Sequence, residues 1–316
     1  MTLTDPNYSE VGHSPTSAVS DRVERLSRVS AKRVIDPDVD LPGRVGDGQV
    51  LPDELLSVHG LDLDLTAEQK RVLSREEVAS ILDAGIRFEA VLEAGFAFRI
   101  ATAADITDPR ITYLLHEIGE ETRHQRLFQR VLTQLQPKSC NPMASWPIIP
   151  RLERAGVRWI TRLPAMLFVS VLGGEEIPDL LQKKASEHPD TDPFLAEVNR
   201  YHRQEEARHL SFAKAVLPEV WAEATRLDRF VVTHVAPRSI DQMFRFMVHP
   251  GVYAEIGLPA WDTWKAVNNT PQRTALRHEA TRPVLDAVID AGILQQNRIP
   301  RAWQQLCGVN RRGQAT

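Results

Sequence analysis

The chain has 316 residues, 42% hydrophobic, 25% charged and 6% aromatic, an ordinary globular composition rather than a disordered or fibrous one. Its 38 basic and 42 acidic residues leave a formal charge of -4, so no basic field attracts nucleic acid or an anionic membrane. Two cysteines, Cys140 and Cys307, lie far apart in no metal-type spacing, which excludes a disulfide framework and a zinc ribbon and fits a reducing, cytoplasmic setting.

No stretch approaches the roughly 18 unbroken apolar residues of a membrane span. Residues 1–20 are polar, without the charged and apolar regions of a signal peptide, and read as a disordered start. Residues 21–73 mix Pro, Gly and Asp with short helical stretches at 21–28 and 66–72, the pattern of an irregular arm lying on a core. Ser74 followed three positions later by Glu77 reads as a capping box that opens a helix to about residue 103. Asp108-Pro109 opens a second helix, to about residue 135, and Pro164 a third, to about residue 184.

Asp192-Pro193 launches a fourth helix, expected to end near Leu217-Pro218, with a fifth over 219–248 and a sixth over 268–291 stopped by Gly292. Strand-like alternation is scarce, so the expected class is all-α, with residues 74–295 as one helical bundle domain and 296–316 as a C-terminal tail.

Four of these helices carry acids and histidines at same-face spacings. The second has Glu121 and His124 three apart, and the fourth has His202, Glu206 and His209 at i, i+4 and i+7. The first offers Glu89 or, one turn on, Glu93. Phe88 and Leu92 mark the buried stripe beside Glu89, which is preferred. The third offers Glu175 and Glu176, about 100° apart around the helix, so only one faces inward squarely. One Glu, Glu-x-x-His, one Glu, Glu-x-x-His is the ligand order of ferritin-like di-iron and di-manganese carboxylate bundles. Carboxylates neutralise and bridge two mutually repelling metal ions, and imidazoles complete the coordination while leaving room for dioxygen.

One Glu-x-x-His on a charged helix is usually a solvated face. Two copies, each matched by a further Glu on another helix, favour a metal site. Glu117, Glu120 and Glu205 fall off the ligand faces and read as surface charges or as groups holding the ligands from behind. Pro178 is expected to kink or loosen the turn carrying Glu175. Arg123 and Arg208, each directly before a candidate His, either pair with ligand carboxylates or reach solvent.

The segments Phe88-Glu89-Ala90-Val91-Leu92, Glu120-Glu121-Thr122-Arg123-His124, Glu175-Glu176-Ile177-Pro178-Asp179 and, above all, His202 to His209 resemble the di-iron N-oxygenases typified by p-aminobenzoate N-oxygenase. The resemblance covers about residues 50–250, and its most telling element is His202, a third histidine one turn before the last Glu-x-x-His. It implies a metal set of Glu89, Glu121, His124, Glu175, His202, Glu206 and His209. Glu121 and Glu206 would bridge two irons, with Glu89 and His124 on one and Glu175, His202 and His209 on the other. Glu175 is taken over Glu176 because its separation from His202 agrees with the family's spacing.

The expected activity is therefore O2-dependent di-iron oxidation of the amino group of a small biosynthetic amine, an aryl amine of the kind found in antibiotic biosynthesis, through hydroxylamine and nitroso to nitro. A di-iron hydroxylase or desaturase acting on carbon would share the ligand set, and a ferritin-like storage or peroxide-detoxifying protein is the alternative from another class. No dinucleotide fingerprint or cysteine cluster is present, so electrons are expected from a separate reductase, a ferredoxin-type donor or a small reductant. The oligomeric state, a homodimer included, stays open, as does the residue that would anchor a substrate carboxylate: Arg238, Arg245, Arg277 and Arg282 are all available.

Overall fold

The structure is a computed structural model and describes residues 15–316. Among them it is all-α, with no β-strand beyond an isolated bridge between Val309 and Ala315. Most of the expected disordered start lies outside the described residues; its last part is helical, because α1 runs from Pro15 to Lys32. The arm continues through a single turn, α2 (Pro37–Asp40), into the bundle. Four long helices form the frame: α3 (Ala67–Ala101), α4 (Pro109–Leu135), α6 (Pro164–Glu187) and α7 (Pro193–Ala222). A shorter helix, α5 (Ile149–Arg162), leads into α6 through a bend of 113° at Leu163. No single described helix is long and apolar enough to cross a membrane.

Local chemistry sets several helix starts. The Asp108 carboxylate accepts from the Arg110 amide at 2.8 Å and the Asp192 carboxylate from the Leu195 amide at 2.9 Å, each with Pro in the first turn, where a missing N–H costs nothing. The other oxygen of Asp192 accepts from Gly46 of the arm at 2.9 Å, so one side chain caps a helix and moors a loop.

The start of α3 differs from expectation. Its capping box is Thr66 with Gln69, and Ser74 and Glu77 lie inside the helix. Both are buried and spent on the arm: Ser74 Oγ accepts from Val50 N at 3.1 Å, and the Glu77 carboxylate accepts from Ser57 N at 2.9 Å. Nor does Pro218 end α7, which continues to Ala222. The expected fifth helix is two, α8 (Arg226–His234) and α9 (Ala236–Phe246), with Pro237 in the first turn of α9.

The chain then forms a short turn, α10 (Gly251–Ala254), followed by α11 (Ala260–Asn268), α12 (Pro271–Asp290) and α13 (Arg301–Cys307). Gly292 closes α12 with φ of +72°, a conformation that suits glycine. The segment after residue 295 belongs to the core, since Trp303, Leu306 and Cys307 are buried.

Two apolar clusters bracket the middle of the bundle. One holds Leu92, Phe96, Tyr113, Leu167, Phe168, Phe212 and Trp303; the other holds Val50, Leu51 and Leu56 of the arm with Leu73, Leu82, Phe128, Val131, Leu195 and Tyr253. Along α3, α4 and α7, the residues of one cluster are separated from those of the other by the stretch that carries acids and histidines. Each fully buried Leu or Phe contributes about 1.5–3 kcal/mol, and that apolar packing offsets the cost of a polar layer held out of water.

Candidate metal centre

Glu89 projects from α3, Glu121 and His124 from α4, Glu175 from α6, and His202, Glu206 and His209 from α7; none is more than 3% exposed. Glycine explains how α6 comes so close: a Cβ at Gly174 would overlap the Phe88 ring, and one at Gly173 would press on Ile240 of α9. Packing sends the two members of each alternative pair to different surroundings. Glu89 faces the centre, while Glu93 accepts from Thr122 Oγ1 at 3.2 Å. Glu175 is wholly buried beside Glu206, while Glu176 pairs with Lys214 Nζ at 2.6 Å.

The imidazoles are held by the edge that faces away from the carboxylates. His124 Nδ1 lies 3.1 Å from Glu206 Oε1 and 3.4 Å from Glu121 Oε2, and its Nε2 donates to Glu205 Oε2 at 3.0 Å. His209 repeats the pattern: Nδ1 lies 2.9 Å from Glu206 Oε2 and 3.2 Å from Glu121 Oε1, and Nε2 donates to Glu120 Oε2 at 2.8 Å. His202 is turned the other way round. Its Nδ1 donates to Gln182 Oε1 at 3.0 Å, which leaves the Nε2 lone pair 3.3 Å from both Glu89 Oε1 and Glu206 Oε1. Glu89, His124 and His202 each offer an atom within 4.8 Å of the others, so His202 stands with Glu89 and His124, whereas the resemblance grouped it with Glu175 and His209.

A lone pair aimed at carboxylate oxygens is an arrangement that a cation between them would satisfy. The carboxylates say the same: Glu89 Oε2, Glu117 Oε2, Glu121 Oε1, Glu175 Oε1 and Glu206 Oε1 are buried without a hydrogen-bond partner. Burial drives the Glu89 and Glu175 carboxyls well above their ordinary range, with repulsion from Glu121 and Glu206 adding to it. Burial acts the same way on Glu206, but His209 and His202 outweigh it and hold that carboxyl well below the usual value. Burial and the nearby His124 push His202 down to about 4. The donor set, carboxylate oxygen with imidazole nitrogen, suits divalent iron or manganese.

Three acids expected to lie off the ligand faces are part of this centre, and Glu117, four residues before Glu121 and seven before His124, in fact shares their face. Glu117, Glu120 and Glu205 are buried, at 1–2% exposure, so none is a surface charge. Glu120 and Glu205 hold the outer nitrogens of His209 and His124, and Tyr201 OH donates to Glu205 at 2.9 Å. Arg208 joins the two acids and also donates to Ser30 Oγ of α1 at 3.1 Å, while Arg123 Nη2 lies 3.5 Å from Glu205. Glu117 forms another compact group with Glu121 and His209. Spacing alone gave no sign of Ser30, Tyr201 or Gln182, because they come from the arm, from the flank of α7 and from a helix with no ligand repeat.

A cavity of about 60 Å³ touches Glu89, Glu175 and His202; its other walls include Phe88, Phe128, Met243 and Met247. Ile81, Leu82 and Gln182 also line a larger neighbour, about 380 Å³, whose polar lining includes Glu77, Asn199 and Arg273. The four arginines considered from sequence line neither cavity. Arg245 and Arg277 pair with Asp241, Arg282 pairs with Asp286, and Arg238 donates to the His234 carbonyl.

The described residues thus form an all-helical bundle with a buried layer of carboxylates and imidazoles that could hold metal ions, beside a cavity with largely apolar walls. The family model described as p-aminobenzoate N-oxygenase AurF matches residues 16–292, and the chain belongs to that family of oxygenases. Relatives include the uncharacterized protein Mb0909 of Mycobacterium bovis and the uncharacterized protein Rv0885 of Mycobacterium tuberculosis. Each is 29% identical over 251 residues, covering 73% of this chain and 67% of the relative.

Proposed function

We propose that the protein is an O2-dependent di-iron N-oxygenase acting on a small aryl amine. Glu121 and Glu206 would be shared between the metals, Glu89, His124 and His202 would serve one, and Glu175 and His209 the other. When bound, the iron pair supplies two-electron activation of dioxygen, and a separate donor of reductase or ferredoxin type supplies the electrons. The observation that carries this reading is the convergence of these seven buried groups from four helices, with four of their carboxylate oxygens left without partners, in a chain of this family.

The chain's own residues set what reaches the centre. Phe88, Phe128, Met243 and Met247 exclude water from the inner cavity and offer an aromatic ring apolar contact, which leaves its amine to face Glu89 and His202. A carboxylate elsewhere on the substrate would meet Arg273 in the outer cavity, where Nε of that side chain has no hydrogen-bond partner.

Two measurements test the reading. Iron-supplemented protein should hold two metal ions per chain, and Glu121→Ala and Glu206→Ala should each hold fewer; one ion or none in the parent protein counts against it. Reduced protein given oxygen and a panel of aryl and alkyl amines should yield hydroxylamine, nitroso or nitro products by mass spectrometry. Products oxygenated only on carbon would favour a hydroxylase, and rapid iron(II) oxidation with no organic product would favour a ferritin-like role.

A further inference from the structure

Two helices of the centre carry the same spacing of chemistry-bearing residues. On α7 these are His202, Glu206 and His209; on α4 they are Glu117, Glu121 and His124, also at i, i+4 and i+7. The contacts follow the same exchange. His202 reaches across from α7 to stand with Glu89 and with His124 of α4, while Glu117 reaches across from α4 to stand with His209 of α7 and with Glu121, each set having its ligand atoms within 4.8 Å of one another.

Resting on the di-iron reading above, we infer that Glu117 is an eighth ligand, belonging to the metal ion served by Glu175 and His209. Its neighbours Glu120 and Glu205 are just as buried, yet both are satisfied, by Arg208 and by imidazole N–H groups. Glu117 is 1% exposed and its Oε2 has no partner. A buried carboxylate oxygen without a donor is costly, and here it lies beside two other groups suited to a divalent cation.

The two metal positions then have equal numbers of protein ligands but unlike chemistry. One takes two imidazoles and the Glu89 carboxylate; the other takes one imidazole and two carboxylates, Glu175 and Glu117; both share Glu121 and Glu206. Carboxylate donors favour the harder, more oxidised ion, so the second position should hold ferric iron more strongly than the first.

The test is anaerobic titration with iron(II), repeated with Mn2+, of the whole protein, Glu117→Gln and, as a control outside the cluster, Glu93→Gln. The Gln substitution keeps the volume and removes the charge. The proposal expects two ions per chain in the parent protein and in Glu93→Gln. In Glu117→Gln it expects one ion bound as before and the other weakened by about 10- to 100-fold, at least the effect of losing a group that merely supports a ligand. Unchanged affinity for both ions in folded Glu117→Gln overturns it. If that variant does not fold, a crystal structure of the metal-loaded parent protein decides: a Glu117 oxygen about 2 Å from a metal supports the assignment, and a carboxylate turned away overturns it. Failure of the parent protein to bind two ions would overturn the di-iron reading itself, which separates that outcome from failure of the Glu117 assignment alone.

Discussion

Arg208 Nη2 donates to Glu120 Oε1 at 2.8 Å, and the same nitrogen lies 3.2 Å from Glu205 Oε1. One guanidinium thus fixes both carboxylates that hold the outer nitrogens of His209 and His124, so the orientation of two candidate ligands depends on a single side chain anchored to Ser30 of α1. Replacing it by an apolar residue of similar length, Arg208→Met, leaves two buried carboxylates without their cation. The expected loss is about 3–5 kcal/mol of stability, with metal affinity lowered about 10- to 100-fold. Urea unfolding and metal titration check both; a change in stability under 1 kcal/mol with unaltered metal binding would show that the pairing is incidental.

His202 is expected to separate chemistry from metal loading. Six of the seven groups remain in His202→Ala, so two ions should still bind, while amine oxidation should fall below detection because one metal loses an imidazole and the inner cavity loses part of its wall. Metal analysis beside product analysis reads the two effects apart. Parent-like amine turnover in this variant would remove His202 from the proposed mechanism.

Gly174→Ala tests how tightly α6 must approach α3. The added methyl overlaps the Phe88 ring, which lines the cavity beside Glu89 and Glu175, so either the ring or the helix must shift. Overpacking of this kind costs about 1–3 kcal/mol. Thermal unfolding of the variant should show that loss, and a melting temperature equal to the parent's would mean that the contact is slack.

Glu77 should make stability depend on pH. Burial pushes its carboxyl up from 4.5 to about 7, although hydrogen bonds from Ser57 pull the other way. The folded chain therefore keeps a proton that the unfolded chain has already released, and stability present below about 4.5 is lost as pH rises through 7. Between pH 5 and pH 8 this one group costs roughly 2–3 kcal/mol. Glu77→Gln has no proton to lose and should be offset from the parent by a constant loss of acceptor strength while lacking that slope. Urea unfolding of both proteins at the two pH values reads the difference; parallel pH dependence would show that Glu77 titrates normally.

What the amino-acid sequence determined by itself was local. Asp108-Pro109 and Asp192-Pro193 open helices because a carboxylate two or three residues back can reach the free amides of a first turn, whatever lies around it. Glu121 with His124, and His202 with Glu206 and His209, share faces because 3.6 residues make a turn. Tertiary structure decided everything that depends on a second partner. Ser74 and Glu77 have the pattern of a cap and serve as sockets for the arm, since Val50 and Ser57 reach them first. Glu120 and Glu205, read as surface charges or as supports behind the ligands, could not be assigned from sequence, because helical periodicity says which residues share a face but not how many faces are covered; Glu117, four residues before Glu121 and seven before His124, lies on the ligand face itself. With α1 laid across α4 and α7, the helices are buried nearly all round, and charges that would otherwise be solvated must find Arg208, an imidazole or a metal ion.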